Sequence, residues 1–264
     1  MGNWVDYRTD HGVAFIILRD PPVNAYTLEM LQELDQAIVD VRFDDSIQVV
    51  ILTGHGDNYF CAGANIPMLR EVDSLFRKNF FLYASETFSR IERTPKFVIA
   101  ALNGHAVGGG FELSLACDLR VAWGDNGTIG MPQISLGLIP GSGGTQRLTR
   151  MVGKGVAMQL LAEGKNITFD RARDLGLVNY VWRTDSYTAF MDRVTEYARS
   201  FTGPKTSTIA LGKLKMAVQA GYELSIDGGL LFEQEALAQT VGTHDAQEGL
   251  DAWLDKRPPS FDGE

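Results

Sequence analysis

Apolar and polar positions along this chain follow two periods in turn, and their exchange lays out the elements. Residues 12–18, Gly-Val-Ala-Phe-Ile-Ile-Leu, form a short apolar run closed by Asp20-Pro21-Pro22, the pattern of a strand ended by a turn. Over 27–41, Met30, Leu31, Leu34, Ala37, Ile38 and Val41 recur every three or four residues, which predicts an amphipathic helix. Residues 47–52 are almost wholly apolar and rich in β-branched side chains, as in a strand covered on both faces. A polar loop over 53–58 leads through 59–66 into a long helical pattern over 72–91. The cycle then repeats, with a strand at 97–102, a glycine turn, a helix near 110–117 and a strand at 119–123. After 128–132, a second glycine turn (Gly141-Ser142-Gly143-Gly144) opens a helix through Met151, followed by helices at 154–162 and 170–175 and a strand at 178–182. From Asp185 onward the pattern is purely helical, with segments at 186–200, 205–219, 224–241 and 244–255. Alternating strands and helices predict an α/β architecture. Gly203-Pro204 marks the expected boundary between a mixed body, 1–203, and a helical region, 204–264.

Composition narrows the class. With 45% hydrophobic and 22% charged residues, the chain has the make-up of a soluble globular protein. Its net charge of -9, without a dense Lys/Arg run, argues against nucleic acid as a partner. An anionic ligand would have to be met by local basic residues. Two distant cysteines, Cys61 and Cys117, and four histidines without HExxH or paired spacing suggest no disulfide framework and no metal site. Reduced thiols fit a cytoplasmic location. The first residues carry no basic segment followed by an apolar core, and no apolar run is long enough to span a bilayer.

Candidate chemistry concentrates in residues 103–118, Asn-Gly-His-Ala-Val-Gly-Gly-Gly-Phe-Glu-Leu-Ser-Leu-Ala-Cys-Asp. Gly108, Gly109 and Gly110 lead from a buried strand into an apolar helix, and consecutive glycines permit close backbone approach. The free N–H groups of a helix N-terminus make a receptor for an anion, or for an oxygen that becomes anionic during reaction. Glu112 lies three residues after Gly109, on the same helical side, so it offers a carboxylate beside that receptor. In an apolar helix such a carboxylate is buried and its pKa perturbed, a mark of functional sites. Ala62-Gly63-Ala64 is a second small-residue turn whose main chain could donate; spacing alone does not pair it with the first. The Gly141–Gly144 turn lacks the third glycine of the dinucleotide fingerprint, and no GxxxxGK[ST] is present. His105 is expected to be a hydrogen-bonded loop residue and Asp118 to cap or pin its helix. Arg147, Arg150 and Lys154 are expected to form a solvated basic face.

Taken together, these segments resemble the crotonase superfamily of enoyl-CoA hydratases and isomerases over nearly the whole chain. The similarity is carried by Pro22-x-Asn24-Ala25, by residues 60–66 (Phe-Cys-Ala-Gly-Ala-Asn-Ile), by Asn103-Gly104 through Glu112-Leu113, by 131–148, and by Asp245-x-x-Glu248-Gly249 and Asp255-Lys256-Arg257 near the end. The resemblance implies a crotonase-like spiral of ββα turns with a C-terminal helical trimerisation region, assembled as a homotrimer or a dimer of trimers. It implies an acyl-CoA substrate and no separate cofactor, coenzyme A entering as part of the thioester. The Ala64 and Gly109 amides would hold the thioester oxygen, and Glu112 would act on water at the β-carbon. Ala62, Ile66, Gly108 and Lys256 would contact substrate. The second glutamate of hydratases is replaced by Gln133, which can orient water but cannot exchange a proton at neutral pH. Asn65 replaces the usual aspartate after the oxyanion alanine. The implied reaction is hydration of a 2-enoyl-CoA or dienoyl-CoA, or the reverse dehydration, with Glu112 as the single catalytic carboxylate. The alternatives are double-bond isomerisation and CoA-thioester binding with little turnover.

Overall fold

A computed structural model of the protein describes residues 2–263. Its body is built on a six-stranded sheet and a four-stranded one. The first contains β1 (Val5–Asp10), β2 (Val13–Leu18), β3 (Val49–Gly54), β5 (Phe97–Leu102), β7 (Leu119–Trp123) and β10 (Tyr180–Trp182), adjacent in that order. Only the β1/β2 pair is antiparallel. The second contains β4 (Tyr59–Cys61), β6 (His105–Val107), β8 (Thr128–Gly130) and β9 (Ile167–Thr168). The chain therefore places one strand in each sheet and then a helix, three times over: β3, β4, then α2 (Ile66–Glu71) and α3 (Ser74–Glu92); β5, β6, α4 (Gly109–Leu115); β7, β8, α5 (Gly144–Glu163).

The central strands read as continuous apolar runs because both their faces are covered. Ala14, Ile16, Val50, Leu52, Val98 and Ala100 join a large core. This core also takes in the buried face of α1 (Leu28–Phe43), whose N-cap Thr27 accepts from Met30 N, and that of α3. Val13, Phe15, Val49, Ile51, Ile99 and Ala101 point to the other face and pack on Phe190, Val194 and Ala198 of α7 (Tyr187–Arg199). After α6 (Phe169–Asp174) and α7, the chain ends in α8 (Thr208–Tyr222), α9 (Ile226–Ala238) and α10 (His244–Asp255).

Several boundaries differ from the periodicity, each for a local reason. β1 is half-exposed and polar, so its sequence lacks a strand signal. β4 and β6 are only three residues long, too short for a period. The helix read over 72–91 is α3, which starts at Ser74 because Asp73 caps it, accepting from Phe76 N; the short α2 before it, capped by Asn65 accepting from Met68 N, has too few residues to show a period. The two helices read on either side of residue 153 run on as α5, yet Gly153, at φ 76°, ψ 160°, breaks the helical path between them. Asp118 does not cap α4. Its carboxylate accepts from Val98 N at 2.7 Å and from Gln219 Nε2 at 3.0 Å and pairs with Lys215 Nζ at 2.8 Å, fastening β5 to α8.

The last three helices bury few residues and present Leu214, Met216, Val218, Tyr222, Ile226, Leu231 and Trp253 on the surface of the single chain. No helix among the described residues is long and apolar enough to cross a membrane.

Candidate active site

Glu112 sits in the first turn of α4, a helix whose every residue is buried. A carboxylate there needs donors, and they come from the Gly141–Gly144 turn. Ser142 N donates to Glu112 Oε1 at 2.7 Å and Gly144 N to the same oxygen at 2.8 Å. Glycine is required at 144, where a Cβ would stand 2.8 Å from Glu112 Cγ. Oε2 accepts one bond, from Gln133 Nε2 at 3.1 Å. Burial pushes the Glu112 carboxyl above its ordinary range, outweighing the opposing hydrogen bonds from Gly144 and Ser142. Gln133 stands at the start of a short 3-10 turn, and its Oε1 is buried without a partner among the described residues.

The two glycine-containing turns that spacing could not pair lie against one another. A Cβ on Gly63, itself at φ +89°, would be 2.7 Å from Gly109 N and 3.0 Å from Val107 O. Gly108, at φ +58°, lies between Ala62 O and Gln133 Nε2, each 3.8 Å from where its Cβ would be. Ala64 forms a parallel bridge with Tyr26, in which Tyr26 N donates to Gly63 O at 2.9 Å and Asn65 N to Tyr26 O at 3.0 Å. In such a bridge the central residue's own N–H faces away from the partner. Gly109 N, the first amide of α4, has no intrahelical acceptor. Neither the Ala64 nor the Gly109 amide donates to any protein group among the described residues.

Ala64, Gly109, Glu112 and Gln133 are thus gathered around the contact of two turns, with Ala62 and Gly108 adjoining. Ile66, the first residue of α2, is exposed beside them in sequence. Lys256 stands apart: it ends α10 in the left-handed conformation and shares no hydrogen bond or ion pair with the others among the described residues. Asn65 serves as a helix cap, a task asparagine performs as well as aspartate. His105 Nδ1 is bonded to Thr128 Oγ1 at 2.9 Å, as expected of a structural histidine, but the residue opens strand β6 instead of lying in a loop.

Arg147 departs from a solvated basic face. Its side chain is 12% exposed, pairs with Glu92 at 2.8 Å and donates to Ser142 O at 3.0 Å, bracing the turn that serves Glu112. Arg150 pairs with Glu223 at 2.7 Å. Ser142, Gly144, Arg147 and Tyr26 escape a reading by side-chain type, since three of them act through the main chain or through a structural ion pair. A signal existed nonetheless: a carboxylate in an apolar helix demands amide donors, and the Gly141–Gly144 turn is rich in them. A cavity of about 970 Å³ borders this turn at Gly143 and is walled by Leu115, Arg147, Arg150, Met216 and Phe232; Glu112 is not among its walls. Among the described residues no group of three or more His, Cys, Asp or Glu could hold a metal ion.

A spiral of strand–strand–helix turns, with unspent main-chain donors set beside a buried carboxylate, defines a class that can hold a developing oxyanion and move a proton. The sequence identifies the class: residues 8–264 match the family model described as enoyl-CoA hydratase/isomerase, and the chain belongs to that family. It is 37% identical to the short-chain-enoyl-CoA hydratase of Clostridium acetobutylicum, over 93% of this chain and 92% of that protein. It is 36% identical to the crotonyl-CoA hydratase of Syntrophomonas wolfei, over 93% and 92%. The fold matches a solved enoyl-CoA hydratase of Bacillus anthracis with a TM-score of 0.91 at 36% identity, covering 98% of both chains.

Proposed function

We propose that the protein adds water reversibly across the double bond of a 2-enoyl-CoA, giving a 3-hydroxyacyl-CoA. The observation that carries this reading is the pairing of a buried Glu112 with two amides, Ala64 and Gly109, that have no acceptor among the described residues. The two N–H groups hold the thioester oxygen, which becomes negative as the reaction proceeds, and each contributes about 3–4 kcal/mol at the transition state. Their pull makes the β-carbon electrophilic. Glu112 takes a proton from water as its oxygen bonds to that carbon, and the electron pair of the double bond moves onto the thioester as an enolate. The same carboxyl then returns the proton to the α-carbon, so one group serves both steps and the sum is addition of one water.

Oε2 is the oxygen for this work, since Oε1 is taken by two amides. Gln133, its amide N–H turned to Glu112, offers Oε1 as an acceptor that orients the water. Ala62, Gly108 and Ile66 line the thioester, and Lys256 meets coenzyme A phosphate. The enzyme needs no cofactor. The helical region 204–264, with its surface apolar side chains, forms the contact of a homotrimer or dimer of trimers, and the protein works in the cytoplasm.

A single carboxylate also suits double-bond isomerisation, in which one base shuttles a proton between carbons. Loss of the enoyl absorbance of crotonyl-CoA tests hydration; conversion of 3-enoyl-CoA without water addition would favour the isomerase. Butyryl-CoA binding without turnover of either substrate would leave only a thioester-binding role.

Two outcomes follow from the geometry. Gln133→Glu places a second carboxyl against Glu112 Oε2, so one proton is shared between them and an acid becomes available to the α-carbon. Crotonyl-CoA hydration is expected to rise by about tenfold or more; an unchanged rate would show that water orientation alone is needed at 133. The pH profile is also constrained. Glu112 is active as the carboxylate and its ionisation is pushed upward by burial. The rate of hydration is therefore lost as pH falls through a value above the usual glutamate range, and kcat/KM measured across pH locates that limb.

A further inference from the structure

The two donor turns come from different rungs of the spiral, and something must fix their separation. Tyr26 touches both. Its main chain brackets Ala64, accepting from Asn65 N at 3.0 Å and donating to Gly63 O at 2.9 Å, which sets the direction of the Ala64 N–H. Its side chain reaches to Gly109: a Cβ there would stand 2.7 Å from Tyr26 Cζ and 3.0 Å from Cε1, with the hydroxyl nearer still. Gly109 is thus the floor on which the phenol rests. The ring cannot swing away, because it stacks on Phe80 at 5.8 Å and meets the edge of Phe88 at 6.0 Å. It is 2% exposed. The preceding residues hold the same segment down, Asn24 Nδ2 donating to His55 O at 3.0 Å and Tyr59 O at 2.8 Å, and Ala62 N donating to Val23 O at 3.0 Å.

We propose that Tyr26 is a positioning residue that gauges the distance between the Ala64 and Gly109 amides, its backbone fixing one and its phenol ring the other. This rests on the thioester reading above. The residue touches no reacting atom; it acts through the two amides. A shift of about 1 Å in such a pair lowers rate by about a hundredfold, so a shorter side chain must show itself in catalysis before it shows in binding. Because the hydroxyl is the atom nearest Gly109, Phe should loosen the contact partly and Leu more fully.

The test uses butyryl-CoA labelled with carbon-13 at the thioester carbonyl. Infrared difference spectra of the full-length protein read the lowering of the bound carbonyl stretch, which reports polarisation by the two amides and is indifferent to stability. Wild type is expected to lower it. Tyr26→Phe should retain about half of that shift with kcat down about tenfold, and Tyr26→Leu should lose most of it with kcat down about a hundredfold, while butyryl-CoA affinity changes by less than about threefold. A Tyr26→Leu variant with the full wild-type shift overturns the proposal. Should that variant fail to fold, Tyr26→Phe decides alone, since a shift and kcat equal to wild type would equally overturn it. A wild-type protein that binds butyryl-CoA without lowering the stretch would defeat the thioester-oxygen reading itself, and the role of Tyr26 with it.

Discussion

Replacing Glu112 with glutamine is expected to lower kcat for crotonyl-CoA hydration by about a thousandfold, within the range for loss of a general base, while butyryl-CoA affinity stays within a few-fold of wild type. The substitution is nearly isosteric, and its carbonyl oxygen can keep the bonds from Ser142 N and Gly144 N that Glu112 Oε1 receives. What changes is the other atom. Glu112 Oε2 accepts from Gln133 Nε2, whereas an amide nitrogen there would meet donor with donor until Gln133 turned its Oε1 inward. That turn would also remove the acceptor assigned to water. Stability should not fall, because the variant removes a carboxyl whose charged form is disfavoured by burial. The diagnostic combination is therefore a large drop in kcat with an unchanged or raised Tm, read by steady-state kinetics and a thermal melt. Full activity in this variant would refute the role of Glu112; lost activity with a lowered Tm would point to damage of the Gly141–Gly144 turn instead. The raised acid limb of the pH profile should disappear along with the carboxylate.

How far the sequence disclosed all this depends on which group acts. Strands β2, β3 and β5 and helices α1, α7 and α10 are legible because burial of a face imposes a period on side chains, and α10 was bounded at 244–255 as observed. Glu112 is legible because a charged residue stands out in an apolar helix. Ala64 and Gly109 are not, since any residue has a main-chain N–H; only the contact of Gly63 with Gly109 distinguishes them, and that contact joins residues 46 apart in number through strands β4 and β6 of three residues each. Family resemblance supplied that pairing. The tie between Asp118 and Lys215 was likewise invisible: it joins residues 97 apart, and neither carries a motif. Asp118 read locally as capping or pinning its helix, because two of its partners, Lys215 and Gln219, are brought near only by the packing of α8 on the body.

That tie sets the second large effect. Lys215→Met is expected to destabilise the protein by about 3–5 kcal/mol, the usual consequence of leaving one member of a buried pair alone. The two side chains are 2% and 9% exposed and 2.8 Å apart, and Lys215 Nζ also donates to Lys96 O at 2.9 Å. Burial pushes the Asp118 carboxyl upward even with Lys215 beside it, so the pair does not fully offset its own desolvation. This distinguishes the single variant from the double one. With Asn at 118 the side-chain oxygen can still accept from Val98 N, the bond now made at 2.7 Å, no lone carboxylate is left at 118, and the buried Arg120 guanidinium keeps its bonds to Leu177 O, Ser114 O and Cys117 O. Asp118→Asn combined with Lys215→Met should therefore recover most of the loss, leaving the two substitutions strongly non-additive. Urea unfolding at one fixed protein concentration reads both, since any assembly through the C-terminal helices makes apparent stability concentration-dependent. A Lys215→Met variant within about 1 kcal/mol of wild type, well short of the expected range for a broken buried pair, would show that α8 is held by its apolar contacts and that the ion pair merely fills the space between helix and sheet.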